Sequence, residues 1–150
     1  MIDLEVEDAA WTGALPEAEA LVLAAAEATL ASEGAVGEGL SLLLTDDAAV
    51  RELNRRFRRQ DRPTNVLSFP APQNPERFLG DVALAFGVCA REAEEQGKPL
   101  AHHLQHLVAH GVLHLLGYDH ETDAQADEME GLERAVLAGL GIPDPYLAGK

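Results

Sequence analysis

The sequence contains a single cysteine, Cys89, among its 150 residues. No disulfide can form within the chain, and we expect this thiol to be buried packing rather than a nucleophile. The N-terminal residues lack the cationic start and apolar run of a secretory signal, and no apolar run approaches the roughly 20 residues that a membrane span requires. These absences predict a cytoplasmic protein.

Aromatic and basic residues are also scarce. Four Phe, two Tyr and one Trp are too few for the base-stacking surface that single-strand binders build from exposed rings. Only 11 Lys and Arg stand against 26 Asp and Glu, and the net charge of −15 repels nucleic acids and anionic membranes over most of the surface. We therefore expect no membrane or DNA partner, and only local recognition of phosphate.

The hydrophobic fraction of 47% in 150 residues suits one domain spanning 1–150. Strand-like alternation or short apolar runs begin at four places, which are Ile2, Leu40, Val66 and Leu79. Helical periodicity with capping and breaking residues predicts four or five helices, at about 16–34, 46–59, 87–96 and 99–116 and after Thr122. The expected fold is α+β, with a small mixed sheet of about four strands packed against the helices.

The six histidines all lie between His102 and His120, and their spacing is the main functional signal. His110 and His114 are one helical turn apart, so both imidazoles can reach one metal ion. Gly117 suits the turn that would end the helix and return His120 as a third ligand. Three neutral nitrogen ligands with an open fourth position are typical of catalytic zinc. We therefore predict one Zn²⁺ ion bound by His110, His114 and His120.

The same spacing occurs in the extended zinc-protease helix motif, in which a glutamate follows the first histidine and acts as general base. Gly111 occupies that position here, so peptide hydrolysis by that mechanism lacks its base. His106 lies one turn before His110, and we expect it to be a hydrogen-bonding partner in the site rather than a fourth ligand. His102 and His103 are expected at the surface or its boundary.

The predicted second helix and the turn after it hold six of the eleven basic residues within twelve positions, for a local charge of +4. These are Arg51, Arg55, Arg56, Arg58, Arg59 and Arg62. A charged run on a helix is usually a solvated face, but this cluster can also present guanidinium groups to phosphates in bidentate geometry. The apolar residues Val50, Leu53 and Phe57 are spaced three and four apart, and we expect them to form the buried face of the helix.

Three sequence blocks together resemble one known family. They run from Leu53 to Pro70, from Leu79 to Val82 and from His110 to His120, and they are closely similar to the YbeY family of metal-dependent bacterial endoribonucleases. The similarity extends from about Ile2 to Leu137, and the last block is highly specific. It implies a one-domain α+β fold with zinc bound by the three histidines.

The resemblance also implies cleavage of single-stranded RNA in ribosomal RNA maturation, especially at the end of the small-subunit RNA, and a part in ribosome quality control. It places the catalytic or substrate-positioning arginine at Arg58. Arg55, Arg59 and Arg62 of the same arginine cluster are expected to bind the substrate. Asp81 is expected either to orient a histidine or to serve only in a turn.

The acidic excess suggests that the ribosome or a partner protein delivers the RNA. A ribosomal protein or a GTPase of ribosome assembly is a candidate for this partner. A zinc peptidase and a non-catalytic metal-binding assembly factor remain as alternative functions.

Overall fold

The computed structural model describes residues 2–147. Four strands form one sheet in the order β1-β2-β4-β3, and they are β1 (Ile2–Val6), β2 (Gly39–Thr45), β3 (Val66–Pro70) and β4 (Phe78–Ala85). Strand β2 runs parallel to both β1 and β4, whereas β3 pairs with β4 in the antiparallel sense. The mixed four-stranded sheet is therefore confirmed, with β1 and β3 at its edges.

The described residues form six α-helices and a 3₁₀ turn. They are α1 (Ala10–Ala14), α2 (Ala18–Ser32), α3 (Asp47–Arg58), α4 (Phe86–Gln96), α5 (Leu100–Leu115), α6 (Asp123–Gly139) and the 3₁₀ turn Pro145–Leu147. The last five helices match the predicted ones. Helix α1 was not predicted, because one turn is too short to show a periodicity. No helix in 2–147 is long and apolar enough to cross a membrane.

The strands present two different faces to the helices. Leu4, Leu42 and Val82 lie in register across β1, β2 and β4, and they pack into the main core together with residues of α2 and α5. The opposite face packs against α3, whose Val50 lies in a second cluster with Ala83. Cys89 is completely buried in the main core, as predicted.

Helix α5 lies unusually close to the sheet at Gly111. A Cβ atom at this position would lie 2.8 Å from Cγ1 of Val82 and 3.2 Å from Oγ of Ser68. The Ser68 hydroxyl also donates a hydrogen bond to the Gly111 carbonyl over 3.2 Å. Glycine therefore allows β3 and β4 to approach the helix that carries the histidines, and the contact sets the rotation of that helix about its axis.

Phe57 departs from the predicted packing of α3. Val50 is buried and Leu53 is half-buried, as expected, but the Phe57 residue is 62% exposed. The ring lies in the last turn of α3, with its centroid 5.5 Å from that of Phe69 on the edge strand β3. The prediction was wrong here because the sequence pattern assumes that the whole apolar face of the helix is covered, whereas Phe57 lines a groove with Leu53 and Phe69.

Candidate metal centre

His110, His114 and His120 come together at the C-terminal end of α5. One ligand atom from each side chain lies within 4.8 Å of those of the other two. His110 and His114 lie on α5, and His120 follows in the loop that leads to α6. Three imidazole nitrogens this close together fit a zinc site, in which each nitrogen would lie about 2.0–2.1 Å from the ion.

A glycine turn brings the third histidine back toward the helix. Gly117 has a φ of 105°, a conformation that residues with a Cβ rarely adopt. Its N–H donates to the His114 carbonyl over 3.0 Å, and the N–H of Tyr118 donates to the Leu113 carbonyl over 3.1 Å. These bonds close the helix end and reverse the chain, which is the turn that the sequence predicted before His120.

A buried carboxylate that the sequence analysis missed lies behind the three histidines. Glu133 of α6 is completely buried. It accepts hydrogen bonds from Nδ1 of His110 over 2.8 Å, from Nε2 of His106 over 2.6 Å, and from the hydroxyl of Tyr146. Because a carboxylate only accepts, the proton of His110 lies on Nδ1, and its Nε2 is left for the metal.

The protonation states of this cluster suit a metal ligand. Burial raises the pKa of Glu133, but hydrogen bonds from His106 and His110 more than offset this and lower its pKa to about 2. Burial lowers the pKa of His114, and the neighbouring His110 and His120 lower it further. Glu133 is therefore an anion and His114 is neutral near pH 7, as a metal-binding imidazole must be.

His106 and His103, two histidines of α5 outside the triad, each contact a glutamate. His106 reaches His110 only through Glu133, which confirms its expected place as a hydrogen-bonding partner rather than a ligand. His103 was expected near the surface, and that expectation was wrong. It is buried, with Nε2 2.9 Å from Oε1 of Glu92 on α4. This bond makes burial of the imidazole possible, and a single sequence does not show that α4 supplies the carboxylate.

Arg58 is held beside the metal centre by β3. Its Nη2 donates to the Ser68 carbonyl over 2.6 Å, and its guanidinium carbon lies 5.6 Å from the ring centre of Phe69. Ser68 in turn binds α5 through Gly111. Burial is the main cause of the lowered pKa of His114, and the positive charge of Arg58 adds a small contribution in the same direction. Arg58 is therefore linked through Ser68 to the helix that carries His110 and His114.

The three predicted substrate-binding arginines differ in their surroundings. Arg55 forms two hydrogen bonds with Glu52, of 3.0 and 2.6 Å. Nε of Arg62 donates to Gln60 over 3.0 Å. The Arg59 side chain is exposed and has no ion pair or hydrogen bond within residues 2–147. Arg59 is thus free to meet a phosphate, whereas Arg55 would have to leave its carboxylate partner.

Asp81 lies on the wrong face of the sheet to orient a histidine. Its neighbour Val82 contacts α5 at Gly111, and alternation along β4 turns Asp81 toward the opposite face. There it is paired directly with Phe69 across β3 and β4. Burial raises the pKa of the Asp81 carboxyl. Both predicted roles of Asp81 are therefore wrong, since it faces away from α5 and lies within strand β4 rather than in a turn.

The fold and the site together define an α+β protein with a three-histidine metal centre next to a fixed arginine. A sequence model of the family described as "Endoribonuclease YbeY" matches residues 5–141. The chain therefore belongs to this family, as the sequence blocks indicated.

Individual relatives give the same result. Endoribonuclease YbeY of Azorhizobium caulinodans is 55% identical, over 97% of this chain and 95% of that protein. A Rhodopseudomonas palustris protein of the same name is 51% identical, over 96% of this chain and 80% of that protein. A solution structure of a Thermotoga maritima protein superimposes with a TM-score of 0.60 at 26% identity, covering 100% of this chain and 99% of that one.

Proposed function

We propose that this protein is a zinc-dependent endoribonuclease that cuts single-stranded regions of ribosomal RNA. Its expected tasks are the maturation of the small-subunit RNA end and ribosome quality control. One observation carries the proposal: His110, His114 and His120 converge at the end of the helix to which Arg58 is linked through Ser68. The names of the relatives, all endoribonucleases, support the same activity.

The histidine triad fits zinc by its chemistry, because it offers three nitrogen donors, the number of protein ligands that a catalytic zinc site typically has. When bound, zinc supplies a Lewis acid for a phosphoryl oxygen and makes water easier to deprotonate near neutral pH. Glu133 contributes by holding His110 in one tautomer and one orientation. The site thus needs no carboxylate base on the helix itself.

Arg58 supplies the fixed positive charge that phosphodiester cleavage requires. Negative charge develops on the phosphoryl oxygens in the transition state, and preorganised donors stabilise it with little rearrangement. Nη2 of Arg58 donates a hydrogen bond to the Ser68 carbonyl. The Arg58 side chain is exposed, so its other N–H groups can donate to the substrate. We therefore propose Arg58 as a catalytic residue, with Arg55, Arg59 and Arg62 binding neighbouring phosphates.

Gly111 argues against the peptidase alternative on structural grounds as well. The position is turned toward the sheet, because a Cβ there would meet Val82 at 2.8 Å. A glutamate at this place would have to displace β4 before it could act as a base. Nothing in the described residues favours peptide hydrolysis.

We further propose that a partner presents the RNA, and that this occurs in the cytoplasm. The net charge of −15 opposes the capture of free RNA, and the arginines of α3 are the main local exception. The ribosome, through a ribosomal protein or an assembly GTPase, is the partner that we propose.

The function can be tested with labelled single-stranded RNA and a labelled casein-type peptide, each incubated with metal-loaded protein. We expect RNA cleavage only, with loss of activity on addition of a chelator or in His114→Ala. His102→Ala is the matched control, because His102 lies on the same helix outside the triad. Peptide cleavage without RNA cleavage would indicate a peptidase, and metal binding without either activity would indicate an assembly factor.

A further inference from the structure

We propose that the exposed ring of Phe57 stacks against one unpaired nucleobase of the substrate, while the phosphate of that nucleotide lies at the neighbouring Arg58. This subsite rests on the proposed endoribonuclease function and gives one way in which the site holds RNA.

The exposure of Phe57 is the first observation. The residue is 62% exposed, although the helical pattern predicts an inward side chain. Its ring meets Phe69 edge to face, with centroids 5.5 Å apart and an interplanar angle of 64°. Such a contact orients the ring while most of the residue stays open to solvent. Sequence patterns tend to fail where a residue serves function rather than packing.

The second observation is the position of the cations. The guanidinium carbon of Arg56 lies over the ring of Phe57, 5.5 Å from its centre, and that of Arg58 lies over the ring of Phe69 at 5.6 Å. A base would therefore stack on the part of the Phe57 ring that Arg56 leaves uncovered. Arginine next to an exposed aromatic ring is the combination that binds single-stranded nucleic acid, through phosphate and base respectively. Phe57, which would stack on the base, is therefore followed directly in the chain by Arg58, the proposed catalytic arginine.

The shape and charge of the adjoining groove indicate how the nucleotide is oriented, with its base toward the groove and its phosphate toward the arginines. Phe57, Phe69 and Leu53 belong to the apolar lining of a groove of about 630 Å³. The same groove is lined by three carboxylates, those of Asp3, Glu5 and Asp81. Carboxylates repel phosphate, so the sugar-phosphate backbone would remain outside, on the side of the arginines. The apolar lining accepts the base instead.

A single subsite also agrees with the scarcity of aromatic residues. A continuous stacking surface is not available, but one ring next to the reacting phosphate can position one nucleotide. Stacking of one base on an aromatic side chain strengthens binding by about 5- to 150-fold.

A kinetic experiment separates this role from a structural one. Phe57→Ala should raise KM for single-stranded RNA by about 5- to 150-fold and leave kcat nearly unchanged, since stacking contributes to binding. Phe57→Tyr should restore the parent KM. Val36→Ala is the control, because Val36 is also an exposed apolar residue, at 73% exposure. A KM for Phe57→Ala within twofold of the parent value would overturn the proposal.

A second readout does not depend on cleavage. The natural Trp11 is completely buried, so Phe57→Trp adds one exposed fluorophore. We expect a single-stranded RNA oligonucleotide to quench its emission, and an abasic oligonucleotide of the same length to leave it unchanged. Equal quenching by both, or by neither, would overturn the stacking proposal. If RNA quenches the signal but the parent protein cuts no RNA, the proposed enzymatic function fails and the binding site stands.

Discussion

Nδ1 of His110 lies 2.8 Å from a carboxylate oxygen of Glu133 and donates its proton to that oxygen inside the protein. The two residues come from different helices, α5 and α6, so their contact joins the metal-binding helix to the C-terminal part of the fold. Tyr146, in the last 3₁₀ turn, donates to the same carboxylate. The buried carboxylate of Glu133 therefore fixes the orientation of His110, a proposed zinc ligand, through the ring nitrogen that does not face the metal.

The first prediction concerns this anion. Glu133→Gln keeps the shape of the side chain but removes its charge, so His110 should become a weaker ligand. Loss of such an outer partner reduces metal affinity by about 10- to 100-fold. Competition with a chromophoric chelator measures the affinity. Glu130→Gln on the same helix is the control, and an affinity within twofold of the parent would show that Glu133 does not support the metal.

The second prediction concerns the ligands themselves. His114→Ala and His120→Ala should each lose the bound metal equivalent, whereas His102→Ala should retain it. Metal analysis of the purified proteins decides the question. Because ligating imidazoles must be neutral, occupancy should also fall as the pH drops below about 6.5. Occupancy that persists well into acid would require other ligands.

The third prediction separates the roles of the arginines. Arg58→Ala should lower kcat at saturating RNA, and Arg58→Lys should restore little, since an ammonium cannot replace the planar guanidinium. Arg59→Ala should mainly raise KM. Arg55→Ala should raise it less, because Arg55 is already paired with Glu52. An unchanged kcat in folded, metal-loaded Arg58→Ala would remove Arg58 from the reaction centre.

Local signals in the sequence were sufficient for most of the fold and for the histidine triad. Periodicity and capping residues predict the strands and the longer helices, because each depends on neighbours along the chain. The spacing of His110, His114 and Gly117 is equally local, since one helix and one turn bring the ligands together.

The features that were missed or mistaken all depend on contacts between distant elements. Glu133 resembles any other acid of α6 until that helix packs against α5. Asp81 can be assigned to a face only when the contact between Val82 and Gly111 is known. Phe57 follows the helical pattern perfectly, but in the folded protein it lines a groove and stays exposed.

The fourth prediction concerns pH and stability. Burial lowers the pKa of His103 in the folded protein, as do His106 and Lys98, although the bond to Glu92 works in the opposite direction. In the unfolded protein the pKa of a histidine is about 6.5, so as the pH falls the His103 imidazole is protonated in the unfolded state before it is protonated in the folded state. The associated stability is thus fully present above about pH 6.5 and is lost as the pH falls toward the lower folded value.

His103→Gln should therefore unfold with a weaker dependence on pH between about 7 and 5 than the parent protein. Urea unfolding of the metal-free proteins at several pH values measures this. His102→Gln, on the same helix, should keep the parent dependence. If His103→Gln and the parent lose stability equally over this range, His103 does not titrate as proposed.

The last prediction concerns the close contact between α5 and the sheet. In Gly111→Ala the new methyl group would lie 2.8 Å from Cγ1 of Val82 and 3.2 Å from Oγ of Ser68. Overpacking of this kind costs about 1–3 kcal/mol, whereas alanine improves helix propensity by about 1 kcal/mol. The variant should be destabilised by up to about 2 kcal/mol, and metal affinity should also fall because α5 must shift.

Gly131→Ala provides the matched control, since Gly131 lies within α6 and a Cβ there meets nothing within 4 Å. It should be stabilised by up to about 1 kcal/mol. Urea unfolding measures both variants, and chelator competition measures their affinity for zinc. If Gly111→Ala were as stable as Gly131→Ala, the sheet would tolerate a side chain at this position. The structural argument against a glutamate base there would then lose its foundation.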